Sequence, residues 1–231
     1  MRIDCHLHTA RYSPCSRLEP FTACQRALER GLDAVVITEH QRQWPADELA
    51  DLRRRFPDLS LFNGFEATLE NGVDLVVLTE DRGIEVPFGL SPERFFASDW
   101  LDPEGSYFFI AHLFRWSTHP PHGLEHLLPF IHGLEMNSVN ILRGQFRIRQ
   151  GRYAPKAEAV YERTRDRNGL QGIYNSDAHE PEAVGSIANH IPCPRPPASE
   201  AELASLLKRS NAEEHQDPEL LRNLLTTRHP L

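Results

Sequence analysis

Short apolar runs alternate along this chain with stretches of helical period. Residues 34–38 (Ala-Val-Val-Ile-Thr) are apolar almost throughout, as in a strand buried on both faces. Comparable strand-like runs fall at 2–7, 59–62, 73–78, 107–111, 133–136 and 172–175. Between them, apolar residues recur at helical spacing: Phe21, Cys24, Ala27 and Leu28 within 20–30, and Leu49, Leu52 and Phe56 within 45–56. Helices are also expected at 92–97, 124–128 and 154–168. Pro20 suits a first helical turn, and Gly31 and Gly169 suit helix ends. Seven strands with intervening helical or loop segments predict an α/β fold of parallel βα units, and a barrel is more economical than an open sheet at this length.

After Ile191 the pattern changes. Pro192, Pro194, Pro196 and Pro197 form a linker. Ser199 then caps a helix over 200–208, with Leu203, Leu206 and Leu207 on one face, and 217–225 forms one more short helix. Residues 1–190 are therefore expected to be the barrel, and 191–231 a Pro-rich linker and helical tail packed on it.

Composition narrows the class. The 231 residues, 40% hydrophobic and 25% charged, fit one globular domain. No apolar run reaches the roughly 18 residues a membrane span needs, and the N-terminus lacks the pattern of a secretory signal. Cys5, Cys15, Cys24 and Cys193 show no C-x-x-C spacing and read as reduced thiols of a cytoplasmic protein. A net charge of −8 argues against bulk binding to nucleic acid or an anionic membrane.

The candidate chemistry collects at strand ends. His6 and His8 are two apart in a strand, so both imidazoles can reach one metal ion, with Asp4 on the same face behind them. Glu39 and His40 end the second strand, Glu66 follows the third, His112 ends the fifth, Glu135 the sixth, and Asp177 and His179 the seventh. A single strand-end histidine is usually a hydrogen-bonded core residue. Five of them with several carboxylates, on different strands of one barrel, point to a metal site. Such a mixed ligand set suits Zn, Mn or Fe, with a carboxylate able to bridge two ions.

These motifs resemble the PHP (polymerase and histidinol phosphatase) superfamily of metalloesterases. The matching stretches are Asp4-Cys-His6-Leu-His8-Thr9, Gly31-Leu-Asp-Ala-Val-Val-Ile-Thr-Glu39-His40, Gly64-Phe-Glu66, Ala111-His112 and Ser176-Asp177-Ala-His179, over about residues 1–190. The resemblance implies a distorted (βα)7 barrel that binds two or three divalent ions and hydrolyses phosphoesters. It implies that His6, His8, Glu66 and Asp177 hold one ion and His40 and His179 another. Glu66 would bridge, His112 would serve the ion on its other side, and Asp4 would orient a ligand histidine. The chain departs from the family pattern in three places. Glu39 stands where Asp is usual and is expected to support the ligands. Cys15 stands in the segment that usually carries a further ligand. Asp74 stands where many members have a histidine.

A water on such ions ionises near neutral pH and can attack phosphorus. Arg17, Arg115 and Arg143 are the candidate phosphate anchors, since Arg binds phosphate through two parallel hydrogen bonds. The expected function is a metal-dependent phosphoesterase acting on a small phosphorylated metabolite or short nucleotide. Two alternatives stand beside it: an amidohydrolase-like C–N hydrolase and a non-catalytic metal-binding regulatory module. Amidohydrolases commonly bridge their ions with a carbamylated lysine, and the only lysines here, Lys156 and Lys208, lie at no strand end.

Overall fold

The computed structural model describes residues 1–226; the last five residues of the expected tail, 227–231, lie outside the described residues. In chain order the first elements are β1 (Arg2–Leu7), α1 (Pro20–Glu29), β2 (Ala34–His40), α2 (Ala46–Arg55), β3 (Ser60–Thr68), β4 (Asp74–Leu78) and α3 (Pro92–Phe96). Next come β5 (Tyr107–Ile110), α4 (Leu124–Leu127), β6 (Gly133–Asn137), α5 (Val139–Gly144), β7 (Arg147–Arg149), β8 (Arg152–Ala154) and α6 (Glu158–Arg167). The chain continues through β9 (Gln171–Tyr174), β10 (Ile187–His190), α7 (Glu200–Arg209), β11 (Glu213–Gln216) and α8 (Pro218–Thr226).

Nine strands form one sheet in the order β11-β10-β1-β2-β3-β4-β5-β6-β9. Ile3 of β1, Phe109 of β5 and Ile173 of β9 share one buried cluster. Strands so far apart in the order can meet only if the sheet curls into a nearly closed barrel. Side-chain amides bridge the remaining gap. Asn189 of β10 accepts from the Tyr174 N–H at 2.9 Å and donates to the Tyr174 carbonyl at 2.7 Å. Asn175 accepts from the Cys5 N–H at 3.0 Å.

Helices cover the outside. Apolar faces of α1 and α2 pack on β2 and the start of β3, α8 packs against α5 and β8, and α3, α4 and α6 pack on β4, β5 and β6. Leu203, Ala204 and Leu207 of α7 join the interior cluster instead, closing the barrel at the end where β5 and β9 begin. Ser199 caps α7 as expected, accepting from the Glu202 N–H at 3.2 Å. The other end of the barrel, where β1, β2 and β3 finish, remains available for chemistry.

Pairing is parallel in β1-β2-β3 and in β5-β6-β9, as the βα pattern predicts. Strand β4, however, runs antiparallel to both neighbours. The reason is the length of β3, which runs on to Thr68 and leaves only 69–73 before β4. A parallel crossover needs about a dozen residues, so a hairpin is the only short return. Strands β10 and β11 are antiparallel additions, so the expected tail also contributes a strand. The sequence of β11, Glu-Glu-His-Gln, has no apolar residue by which it could be anticipated. Among the described residues no helix is long and apolar enough to cross a membrane.

Candidate metal centre

A bulge in β1 begins the site. Asp4 pairs with Val35 and Leu7 with Ile37, so β1 spends one more residue than β2 over that interval. This breaks strict alternation. Leu7 packs outward with Val35 and Ile37, while the His6 ring lies inward, 6.2 Å from the Phe109 ring. Asp4 consequently does not stand behind the imidazoles as expected. Its Oδ1 accepts from the backbone N–H groups of Ser176 (3.0 Å) and His6 (3.4 Å), tying β1 to the segment after β9. Burial pushes the Asp4 carboxyl up to about 6.

All seven expected ligand residues converge at this end of the barrel. Nε2 of His6 and Nε2 of His8 are 3.0 Å apart. Each faces Asp177 Oδ1, at 3.6 and 3.5 Å. Glu66, at the end of β3, meets four imidazoles: His6 and His8 at 3.4 Å, His40 at 3.0 Å and His112 at 3.1 Å. His179 lies 3.6 Å from Asp177 Oδ1, and its ring centroid is 4.4 Å from that of His8. Three groups have ligand atoms all within 4.8 Å of one another: His6–His8–Asp177, His8–His40–His179 and His6–Glu66–His112. Two residues of the cluster, His112 (φ 29°) and Asp177 (φ 50°), hold left-handed backbone without being glycine. Such conformations cost energy and collect at functional sites.

The electrostatics are those of a cluster built for cations. Burial would raise Glu66, but the imidazoles of His6, His112 and His40 hold it well below the usual carboxylate range. Burial would lower His6, but Asp177, Glu66 and Glu135 hold it well above its ordinary value. Burial takes His8 down to about 3. Asp177 Oδ1 is buried and has no hydrogen-bond partner, although such a group is costly to leave unpaired. Ligands about 2.1 Å from an ion stand roughly 3.0–3.4 Å apart around it. The spacings of 3.0, 3.5 and 3.6 Å among His6, His8 and Asp177 lie within about 0.2 Å of that range. The donor set therefore suits divalent metal.

The supporting residues divide clearly. Glu135 accepts from His6 Nδ1 at 3.1 Å, so it is the carboxylate that orients the His6 ring. It also accepts from Asn175 Nδ2 at 2.9 Å and the His112 N–H at 3.1 Å. Glu39 is taken up by the hydroxyls of Thr9 and Ser13 and by Trp44 Nε1, the last at 2.8 Å. Antiparallel β4 places Asp74 at this end of the barrel, 3.7 Å from His112 Nδ1. Cys15 Sγ lies 3.2 Å from His40 Nε2, and hydrogen bonds to His179 and His40 bring the thiol down to about 6. Of the expected phosphate anchors, Arg17 and Arg143 are both paired with Glu180. Arg115 is half-buried, and its Nε lacks a partner.

Three supports escape a reading of the sequence: Asn175, Glu180, and Asn140, which donates to Asp177 Oδ2 at 2.6 Å. For Asn140 the available signal is Ser138, which caps α5 and so places Asn140 in its first turn.

The fold has solved counterparts. PsfC from Pseudomonas syringae PB-5123 superposes with a TM-score of 0.66 at 18% identity, over 96% of this chain and 95% of that one. A two-domain protein from Bacteroides vulgatus ATCC 8482, containing a predicted PHP-like metal-dependent phosphoesterase, gives 0.60 at 17%, over 97% and 68%. An amidohydrolase from Chromobacterium violaceum, with bound sulfate and no metal, gives 0.53 at 17%, over 92% and 98%. No curated protein matches the sequence significantly. Residues 161–212 match the PHP-associated family model, PHP_C. The matching segment contains Asp177 and His179, and the fold is similar to that of a protein containing a predicted PHP-like metal-dependent phosphoesterase.

Proposed function

We propose that the protein is a metal-dependent phosphoesterase acting on a small phosphorylated metabolite or short nucleotide, using two or three divalent ions (Zn, Mn or Fe). The observation that carries this reading is Glu66, one carboxylate in contact with four imidazoles from three separate segments of the chain. Such an arrangement lets one side chain serve more than one ion. In this proposal His6, His8, Glu66 and Asp177 hold one ion. His40 and His179 hold a second, with Cys15 as a further donor. His112 with Glu66 serves a third position, steadied by Asp74. When bound, the ions ionise a water near neutral pH and neutralise charge on the phosphate. The chain's own residues do the rest. Glu135 keeps the His6 ring in place through Nδ1, and Asn140 fixes the Asp177 carboxylate. Arg115 offers a guanidinium to the phosphate, while Glu180 holds Arg17 and Arg143 near the mouth. Water adds its hydroxyl to phosphorus, the ester P–O bond breaks, and the leaving oxygen takes a proton.

We assign this chemistry to residues 1–190, with 191–231 as structural support, and to the cytoplasm, a setting that the four free cysteines support. The likeness to an amidohydrolase keeps C–N hydrolysis as the second reading. Lys208, however, donates to the Pro103 and Glu104 carbonyls and takes no part in the cluster. The test is phosphate release from a broad panel of phosphoesters by protein loaded with Mn or Zn. Release that is lost in His8→Ala and Asp177→Ala supports the proposal. Hydrolysis of amides but of no phosphoester overturns it.

A further inference from the structure

A cavity of about 290 Å³ opens on the His112 side of the cluster, lined by Gly72, Asp74, His112, Arg115, Trp116 and Pro121 among others. A larger cavity, about 360 Å³, lies between α2 and Pro197–Glu200 and contains none of the cluster residues. Trp116 is 77% exposed, an unusual position for an indole. The exposure is not that of a loose loop. The Phe114 N–H donates to the Tyr161 hydroxyl at 2.9 Å, and Gln145 Nε2 donates to the Phe114 carbonyl at 2.7 Å. The Arg115 N–H returns to the His112 carbonyl at 3.0 Å. Behind them lies Gly144, where a Cβ would stand 2.9 Å from the Arg115 carbonyl oxygen and 3.4 Å from Trp116 Cζ3. The Arg115 guanidinium carbon sits 4.5 Å from the indole centroid. The cavity thus combines an aromatic wall held in place, a cation with a spare buried donor, and an imidazole of the metal cluster.

We propose that this cavity is the leaving-group subsite, and that it selects phosphomonoesters whose leaving group carries a flat aromatic ring, as a nucleoside does, by stacking that ring on Trp116. The inference rests on the phosphoester reading and narrows its substrate class. The volume is at the lower end for ligand pockets, which run from about 300 Å³, so it suits one ring system and not an oligonucleotide. A base stacked on an aromatic side chain gains roughly 5- to 150-fold in binding.

The test compares adenosine 5′-monophosphate with ribose 5-phosphate, which share a leaving hydroxyl and differ by the ring. In wild-type protein loaded with Mn, kcat/KM for the nucleotide should exceed that for the sugar phosphate by roughly tenfold or more. Trp116→Ala should collapse that ratio toward one, and Trp116→Phe should keep most of it. Phe88→Ala, at an exposed aromatic outside the cavity, should keep the wild-type ratio. Calorimetric binding of the same two compounds reads the subsite without turnover. A ratio near one in wild-type protein, or a ratio unchanged in Trp116→Ala, overturns the inference. Failure to hydrolyse any phosphoester overturns the functional reading instead, and the binding comparison still decides the subsite.

Discussion

Glu135→Gln changes one atom at the base of the centre, and its effect can be worked out from the hydrogen bonds. The Glu135 carboxylate is fully buried and acts only as an acceptor. Oε1 takes two donors, His6 Nδ1 and Asn175 Nδ2, and Oε2 takes the His112 N–H. An amide has one acceptor atom, so no orientation of glutamine satisfies all three. The less costly orientation keeps oxygen toward His6 and Asn175 and turns NH2 toward the His112 N–H. Two donors then face each other in a buried site, which costs about 1–3 kcal/mol of stability. The lost charge also weakens the bond that directs His6 Nε2 toward His8, Glu66 and Asp177. Changes of this kind behind a ligand histidine typically lower metal affinity 10- to 100-fold, or roughly 1.4–2.7 kcal/mol. Competitive titration against a chelator, at about pH 7.5, measures the affinity directly. Wild-type affinity in Glu135→Gln would refute the reasoning, because His6 would then not depend on Glu135 for its orientation.

Other consequences follow from the same geometry. Gly64→Ala should lower stability by about 1–3 kcal/mol in a melting experiment, because the new Cβ would stand 2.8 Å from the Val77 carbonyl oxygen and 3.0 Å from Val36 Cγ1; an unchanged Tm would contradict it. Metal binding should release protons and strengthen as pH rises. Burial would lower His40 and His112, but Glu66 beside both and Cys15 beside His40 hold them up to about 10 and about 9. Both stay protonated in metal-free protein near neutral pH, so an ion must displace those protons. Calorimetry in buffers of different ionisation enthalpy reads the release, and identical heats would count against it. Protein loaded with Co(II) should show a near-ultraviolet thiolate-to-cobalt absorption that Cys15→Ser removes; its absence from wild-type protein would exclude Cys15 as a donor.

Much of the candidate site is legible in the order of residues alone. The seven residues His6, His8, His40, Glu66, His112, Asp177 and His179 stand at strand ends or just beyond, and strand ends of a curled sheet converge. Legibility fails where pairing geometry intervenes. Alternation places Asp4 beside His6 and His8, but the bulge in β1 turns it toward the backbone of Ser176, and Glu135 on β6 takes over the support of His6. The arginines show the same limit. Arg17, Arg115 and Arg143 look alike as isolated residues, yet Glu180 engages two of them and leaves Arg115 with an unpaired Nε.

By itself, the sequence determined the local events. Apolar periodicity specified most strands and helices of 1–190, since burial of one face acts over neighbouring residues. It also determined which residue types stand at the strand ends. Tertiary structure alone decided the direction of β4, because that depends on where β3 stops and how short the return is. It decided the strand role of Glu213–Gln216, whose partner lies across the sheet edge on β10 and whose own residues carry no apolar signal. It also decided which carboxylate supports which imidazole, because a hydrogen bond of about 3 Å depends on contacts between segments more than a hundred residues apart. Sequence spacing carries no information at that range, and only the closed barrel supplies it.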